Sequence, residues 1–593
     1  MKIKIYKYLV LGISLIIPFS CSDFLTERNP NQLSTDSFWL TVDDCNQGLT
    51  AVYNSFRNQN IMNLSDETKR SDMCWPGWGR PNTTDQVYTQ NFSSATPGVN
   101  SKWEALYKGI FRANQVIEGV TKLQPSLSTS TQIATANTIL AQARFFRGLF
   151  HFYLYESFNG GSVIIADKVP TDESEYYKSL SKPEDVRAFY LKDLEFAYAN
   201  LPAKWTLAVD NGRVTKGAAA AVLGQSYLYE NNYTTADVYF KDVIENPAYG
   251  YKLVDNVGDN FDESNELNSE SILEIVYSTA YKAELNVYDE DNTSNNYNAI
   301  FSSANTGGWR SVYPSCWLIM AYKKDSMDLN DPRNQIIDAT APGGVRRRDY
   351  SLRTSYSIAL VDDRDLPYYG TTTAIATIFN NKETAYFRKY TNWKTRKSEK
   401  DVLPLYRSGI NFRVIRLADV FLMHAECLIK GGTDDAGVAE ALKFINKVRY
   451  RSALCLYGLN GSGEYPASTH DNITYNANSV MNKIMYVERP LELSVEGHAS
   501  RFIDLRRWKL LPARFVELAA KVYYALDYVY FDTTLGKPNT RWQSVLHEGI
   551  TDNPSAATLF GFTQAAANYN EAAHAYWPIP NGETIANPNA IKK

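Results

Sequence analysis

The sequence predicts a mainly α fold: four degenerate helix pairs separated by long loop inserts, with a few short strands. Three observations carry this expectation. Apolar residues recur at three- and four-residue spacing over long segments, as a helix with one buried face requires. Two of these segments hold a paired-helix pattern, with small residues where two helices must approach. Between the periodic segments run polar stretches rich in Gly, Asn and aromatics, at 60–100, 279–314, 340–411, 455–480 and 528–575. Loops of that length are uncommon in compact domains unless they carry function.

The chain opens with Lys2, Lys4 and Lys7, then the apolar run "YLVLGISLIIPF" over 8–19, then Ser20 and Cys21. A basic start, a short apolar run and a small residue make a secretory signal over 1–20. The run is too short to cross a bilayer core of about 30 Å as a helix. Cleavage would leave Cys21 first, the position that a bacterial lipoprotein signal acylates, although Pro18 and Phe19 depart from the usual residues before it. Each buried methylene of an acyl chain contributes about 0.8 kcal/mol, so several chains anchor a protein stably.

The first helix pair is expected at 41–57 with 102–122, the second at 136–157 with 184–200. In "ILAQARFFRGLFHFYLYESF" (139–158), Leu140, Ala143, Phe146, Phe150 and Tyr153 form the core stripe. Arg144, Arg147 and His151 form a second stripe, expected to pair with acidic groups of neighbouring helices. Asn159-Gly160-Gly161 stops the helix. The third pair lies at 220–247, where Leu223, Gly224, Tyr227, Ala236, Phe240 and Pro247 follow the tetratricopeptide pattern. Gly224 and Ala236 let two helices approach, and Tyr227 and Phe240 fill the space between them. A looser copy at 417–450 gives the fourth pair, and short strands are expected at 271–277 and 358–362. Such a scaffold names no ligand by itself.

Composition narrows the function classes. A net charge of -4 with pI near 6.0 leaves no broad basic footprint for nucleic acid. Beyond the signal, no segment reaches the roughly 18 continuous apolar residues of a membrane-spanning helix. Cys45, Cys74, Cys316, Cys427 and Cys455 show neither CxxC nor zinc-ligand spacing, so buried, unpaired thiols are expected. No GxSxG, HExxH or P-loop is present. A glycosidase needs two carboxylates roughly 5 to 10 Å apart across a cleft. The adjacent pairs Asp43-Asp44, Asp362-Asp363 and Asp434-Asp435 are expected to point apart instead. No cofactor is indicated. The oxygen-rich stretch 288–296 could attract calcium but lacks EF-hand spacing, so a solvated loop is the default.

Several segments together resemble the SusD/RagB family of outer-membrane nutrient-binding lipoproteins of Bacteroidota. They are "CSDFLTERNPNQLSTDSFW" from 21, "WEALYKGIFRANQVIE" (103–118), "AQARFFRGLFHFYLYESFNGG" (141–161) and "GRVTKGAAAAVLGQSYLY" (212–229). Further along come "IRLADVFLMHAECLIKGG" (415–432), "INKVRYR" (445–451), "ERPLELSVEGHASRFIDLRRW" (488–508) and "YWPIPNGETIANPN" (576–589). They keep the family's order across nearly the whole mature chain. The resemblance implies a SusD-like fold with a tetratricopeptide-like scaffold. It further implies one domain over 21–593, with an N-terminal part to about 250 and a C-terminal part from about 260. It implies an anchor at Cys21, a place on the outer face of the outer membrane, and a SusC-like TonB-dependent transporter as partner. Asp23 and Glu27 resemble the acidic signal that sends such lipoproteins to the cell surface.

The ligand that the resemblance implies is a glycan, with peptide cargo as on the RagB branch the alternative. Sugar rings stack their C–H faces on flat aromatic side chains, and polar groups fix their edges. Aromatics in the inserts are therefore the candidates: Trp75 and Trp78 with Arg80 in "MCWPGWGRPN" (73–82), Trp309 in "NTGGWRSVYPS" (305–315), and Tyr288 and Tyr297 just before it. Trp103, Trp508 and Trp577 are expected in the core. Arg416, Glu426, Arg449, Glu492, Arg501, Asp504 and Arg507 are expected in buried ion pairs. A glycosidase and a scaffold that binds only proteins are the remaining classes.

Overall fold

The computed structural model describes residues 38–77, 80–372, 378–532 and 535–591. The signal segment, Cys21 and Trp78 lie outside the described residues.

Eight helices supply the frame: α1 (Val42–Phe56), α2 (Pro97–Leu123), α3 (Ser130–Ser157), α4 (Pro183–Asn200), α5 (Lys216–Tyr229), α6 (Tyr233–Glu245), α7 (Leu417–Leu428) and α8 (Val438–Arg451). Each packs on the next, so the four predicted pairs form one continuous row. Thr41 and Thr129 start α1 and α3 with reciprocal capping boxes, which satisfy otherwise orphaned N–H groups. In the third pair, a Cβ on Gly224 would come within 2.4 Å of the Phe240 ring, so only glycine admits that ring. Tyr227 sits at the rim of the pair and stacks on Tyr239.

The basic stripe of α3 divides. Arg144 and Arg147 both hold Asp193 of α4, at 2.7 and 2.6 Å. Among the described residues His151 bonds to no acid; its Nδ1 faces the Arg147 carbonyl at 2.8 Å. Burial pushes this imidazole down to about 4, so it is neutral at physiological pH. The predicted ion pairs form inside the C-terminal half, among them Arg416 with Glu492 at 2.8 Å and Arg507 with Glu426 at 2.6 Å. Arg501 instead reaches back to Asp72 at 2.8 Å, tying the two halves of the sequence together. Trp577 and Trp103 are in the core, whereas Trp508 is half-buried and donates to Glu426.

The strands include β1 (Cys74–Pro76), β2 (Ser271–Ile275), β3 (Val312–Pro314), β4 (Phe412–Arg416), β5 (Tyr523–Asp532), β6 (Lys537–Glu548) and β7 (Ala557–Leu559), of which β5 and β6 run 10 and 12 residues and the others are short. β1 pairs with β3, β2 with β4, and β5 lies between β6 and β7, all antiparallel. Ile358–Leu360 forms the strand expected in that region. The hairpin β5–β6 is a correction, because its residues fall largely in the stretch read from sequence as loop. The five described cysteines are free, four of them buried. Among the described residues, no helix is long and apolar enough to cross a membrane.

Candidate functional site

An exposed aromatic face is built by the insert around Trp309. A short helix, Tyr297–Phe301, runs into a tight turn at Ala304–Thr306, and the chain then folds back on itself. Trp309 N–H donates to the Ala299 carbonyl at 2.6 Å, and Ser311 N–H to that of Ile300 at 3.0 Å. That reversal needs Gly308, where a Cβ would meet the Ser302 carbonyl oxygen at 2.2 Å. The result is an indole held by its backbone and 41% exposed. Beside it lies Tyr406, 37% exposed, with ring centroids 5.3 Å apart and planes inclined 45°. Two exposed rings set at an angle form a platform.

The polar edge comes from the 380–383 turn. Arg310 Nη1 contacts Glu383 Oε1 at 3.0 Å, and Tyr313 donates to the same oxygen at 3.3 Å. Burial works against the Arg310 charge, but the adjacent Glu383 carboxylate outweighs it and holds the guanidinium above its ordinary value. Asn380 N–H donates to Glu383 Oε2 at 2.7 Å, and Asn305 Nδ2 reaches Asn380 Oδ1 at 3.3 Å. Glu383 is therefore buried and occupied. The Asn305 and Asn380 amides are likewise bonded, to Ile378, to each other and to Glu383, and the two exposed rings offer the flat apolar faces that sugar C–H groups meet.

The sequence-predicted residues separate into groups. Trp309 occupies the platform. Arg80 donates through Nη1 to the Lys382 carbonyl, at the far side of the same turn. Tyr288 is 51% exposed on the neighbouring 286–292 loop. Trp75 and Tyr297 are corrected: both are buried and offer no face to a ligand. Trp75 pairs with Tyr313 in the β1–β3 ladder, and Tyr297 packs against Phe412 and Tyr390. In the 288–296 loop, Glu290 pairs with Lys108 and Arg112 and Asp291 with Lys282, so these carboxylates already have cationic partners.

Sequence reading missed Tyr406, Asn305 and Asn380. All three lie in inserts it singled out, and the "LPLYRS" context of Tyr406, flanked by proline, was the available signal. A separate cleft of 520 Å³, lined in part by Trp205, Arg213, Tyr251 and Glu266, contains none of the predicted residues.

Comparison with known proteins bears on the same architecture. A sequence profile described as "SusD family" matches residues 269–592, and one described as "Starch-binding associating with outer membrane" matches 23–228. A SusD-like protein of Bacteroides ovatus is 26% identical over 98% of this chain and 96% of its own length. The crystal structure of a SusD superfamily protein from Bacteroides vulgatus superposes with a TM-score of 0.68 at 24% identity, covering 93% of this chain and 99% of that one. A laminarin-binding SusD-like protein gives a TM-score of 0.57 at 22% identity, covering 81% and 94%. With one profile spanning more than half its length and the mainly α fold shared, this chain belongs to the SusD family.

Proposed function

We propose that this protein captures oligosaccharide on the Trp309–Tyr406 platform and delivers it to a SusC-like TonB-dependent transporter. In this reading an acyl anchor on Cys21 holds it on the outer face of the outer membrane. The observation that carries the proposal is the pair of exposed rings, Trp309 and Tyr406, with centroids 5.3 Å apart. Aromatic faces are costly to leave in water unless something covers them, and a sugar ring covers them while its hydroxyls keep their hydrogen bonds. The laminarin-binding relative supports a glucan as cargo.

Binding without turnover fits the carboxylates near the platform. Glu383 and Glu399 are both buried. Glu399 accepts from Asn298 at 2.8 Å and from the Asn392 backbone at 2.8 Å. A hydrolytic pair would have to face the ligand across open space.

Isothermal titration with laminarin, amylose, cellulose fragments and xyloglucan, set against a peptide pool, tests the cargo. Saturable heat with a glycan is expected. A response to peptides with none to any glycan would overturn the reading and favour peptide uptake.

A further inference from the structure

Trp542, on β6, is 61% exposed, although burying a large apolar side chain ordinarily contributes about 1.5–3 kcal/mol. Its backbone is under unusual constraint. Between the pairs Leu526–Val545 and Tyr528–Arg541 the ladder shifts, so that Asp527 faces Trp542, Gln543 and Ser544 together. Gln543 takes a φ of +52°, a left-handed conformation costly for a residue with a Cβ. Bulges of this kind bend a strand and re-aim its side chains, and they recur beside functional sites.

The bulge is held where it is by specific bonds. Gln543 N–H donates to Asp527 Oδ1 at 2.9 Å. Trp542 N–H donates to Asn381 Oδ1 at 3.0 Å, and Lys382 N–H returns a bond to the Trp542 carbonyl at 2.8 Å. The hairpin is thus docked on the 380–383 turn, whose other side holds Arg310 through Glu383 and meets Asn305 through Asn380. Docking uses only the main chain of residue 542, which any amino acid but proline supplies. The indole is surplus to it and points to a second task.

We propose that Trp542 is a second stacking subsite. It takes a further sugar ring of an oligosaccharide that already covers Trp309 and Tyr406, with the exposed Asn381 and Lys382 between them. The site would then read chain length as well as ring chemistry. This inference rests on the glycan reading above.

The test compares glucan ladders from the disaccharide to the octasaccharide, prepared from the laminarin, amylose and cellulose of the panel. Titrations use the wild-type chain, Trp542→Ala, Trp542→Tyr and Trp309→Ala. Because the indole is exposed, Trp542→Ala should fold, and thermal unfolding checks this. The expected result is unchanged affinity of Trp542→Ala for the shortest binding fragment and about tenfold weaker binding of the longest. Trp542→Tyr should recover most of the difference. A wild-type length profile in Trp542→Ala, with Trp309→Ala defective at every length, overturns the second subsite and leaves the platform standing. No binding of any ladder by the wild-type chain overturns both.

Discussion

The Trp309 indole and the Tyr406 ring meet at 5.3 Å between centroids, although they are contributed by two different inserts. Each ring fixes the other's angle, so the platform is a joint property. Trp309→Ala and Tyr406→Ala should each weaken the responding glycan about tenfold or more, and the double variant should lose less than the sum. Titration calorimetry on the four proteins checks this. Wild-type affinity in both single variants would remove the platform from the binding account.

Gly224 decides the third helix pair. Alanine there would gain up to about 1 kcal/mol of helix propensity. Its Cβ, however, would sit 2.4 Å from the Phe240 ring, which is fully buried. Overpacking typically costs about 1–3 kcal/mol, so the clash wins. Gly224→Ala should lower the unfolding midpoint, and adding Phe240→Leu should restore part of it. A Gly224→Ala protein as stable as wild type would contradict this packing.

What was legible in the sequence was local. Phe146 and Phe150 lie in the buried stretch of one helix, and Gly224 with Phe240 lies within one repeat, so spacing alone locates them. The platform was legible only in half, because the contact between Trp309 and Tyr406 is made by tertiary folding of two inserts. Trp75 misled for a related reason. Its Pro76-Gly77 neighbours read as loop, yet pairing with 312–314 turns it into a buried strand residue. The hairpin β5–β6 escaped notice because the bulge opposite Asp527 breaks its alternation into two short runs. His151 carries the spacing of its basic neighbours but not their partner, since Asp193 is already shared by Arg144 and Arg147.

The proposed membrane anchor turns on one thiol, Cys21. Cys21→Ser keeps the size of the residue and removes the acceptor that acylation requires. The variant should leave the membrane fraction, lose incorporation of labelled fatty acid, and keep glycan affinity in solution, since the Trp309–Tyr406 contact is left intact. Equal membrane retention of wild type and variant would sink the anchor without touching the binding site.

Acid stability follows from the buried ion pairs. Burial pushes the Glu488 carboxyl upward, but Arg353 and Arg449 outweigh it and hold it at about 2, against an ordinary 4.5. Glu492 is likewise held at about 2, with burial opposed by Arg451, Arg416 and Arg353. Both groups are depressed in the folded state, so their stabilisation is complete above about pH 4.5 and is lost as pH falls towards 2. Each contributes on the order of 3 kcal/mol, and the shared Arg353 makes the two less than additive. Burial lifts Glu156 to about 6 and Glu266 to about 8, which works in the opposite sense: their protons are retained on folding, and stability falls as pH rises through those values. Urea unfolding should therefore give a maximum near pH 5, with a steep acid limb. Glu488→Gln should flatten that limb and cost about 3 kcal/mol at neutral pH, because Arg353 and Arg449 lose a shared carboxylate and keep Asp325. An acid limb unchanged by Glu488→Gln would show that other groups govern it.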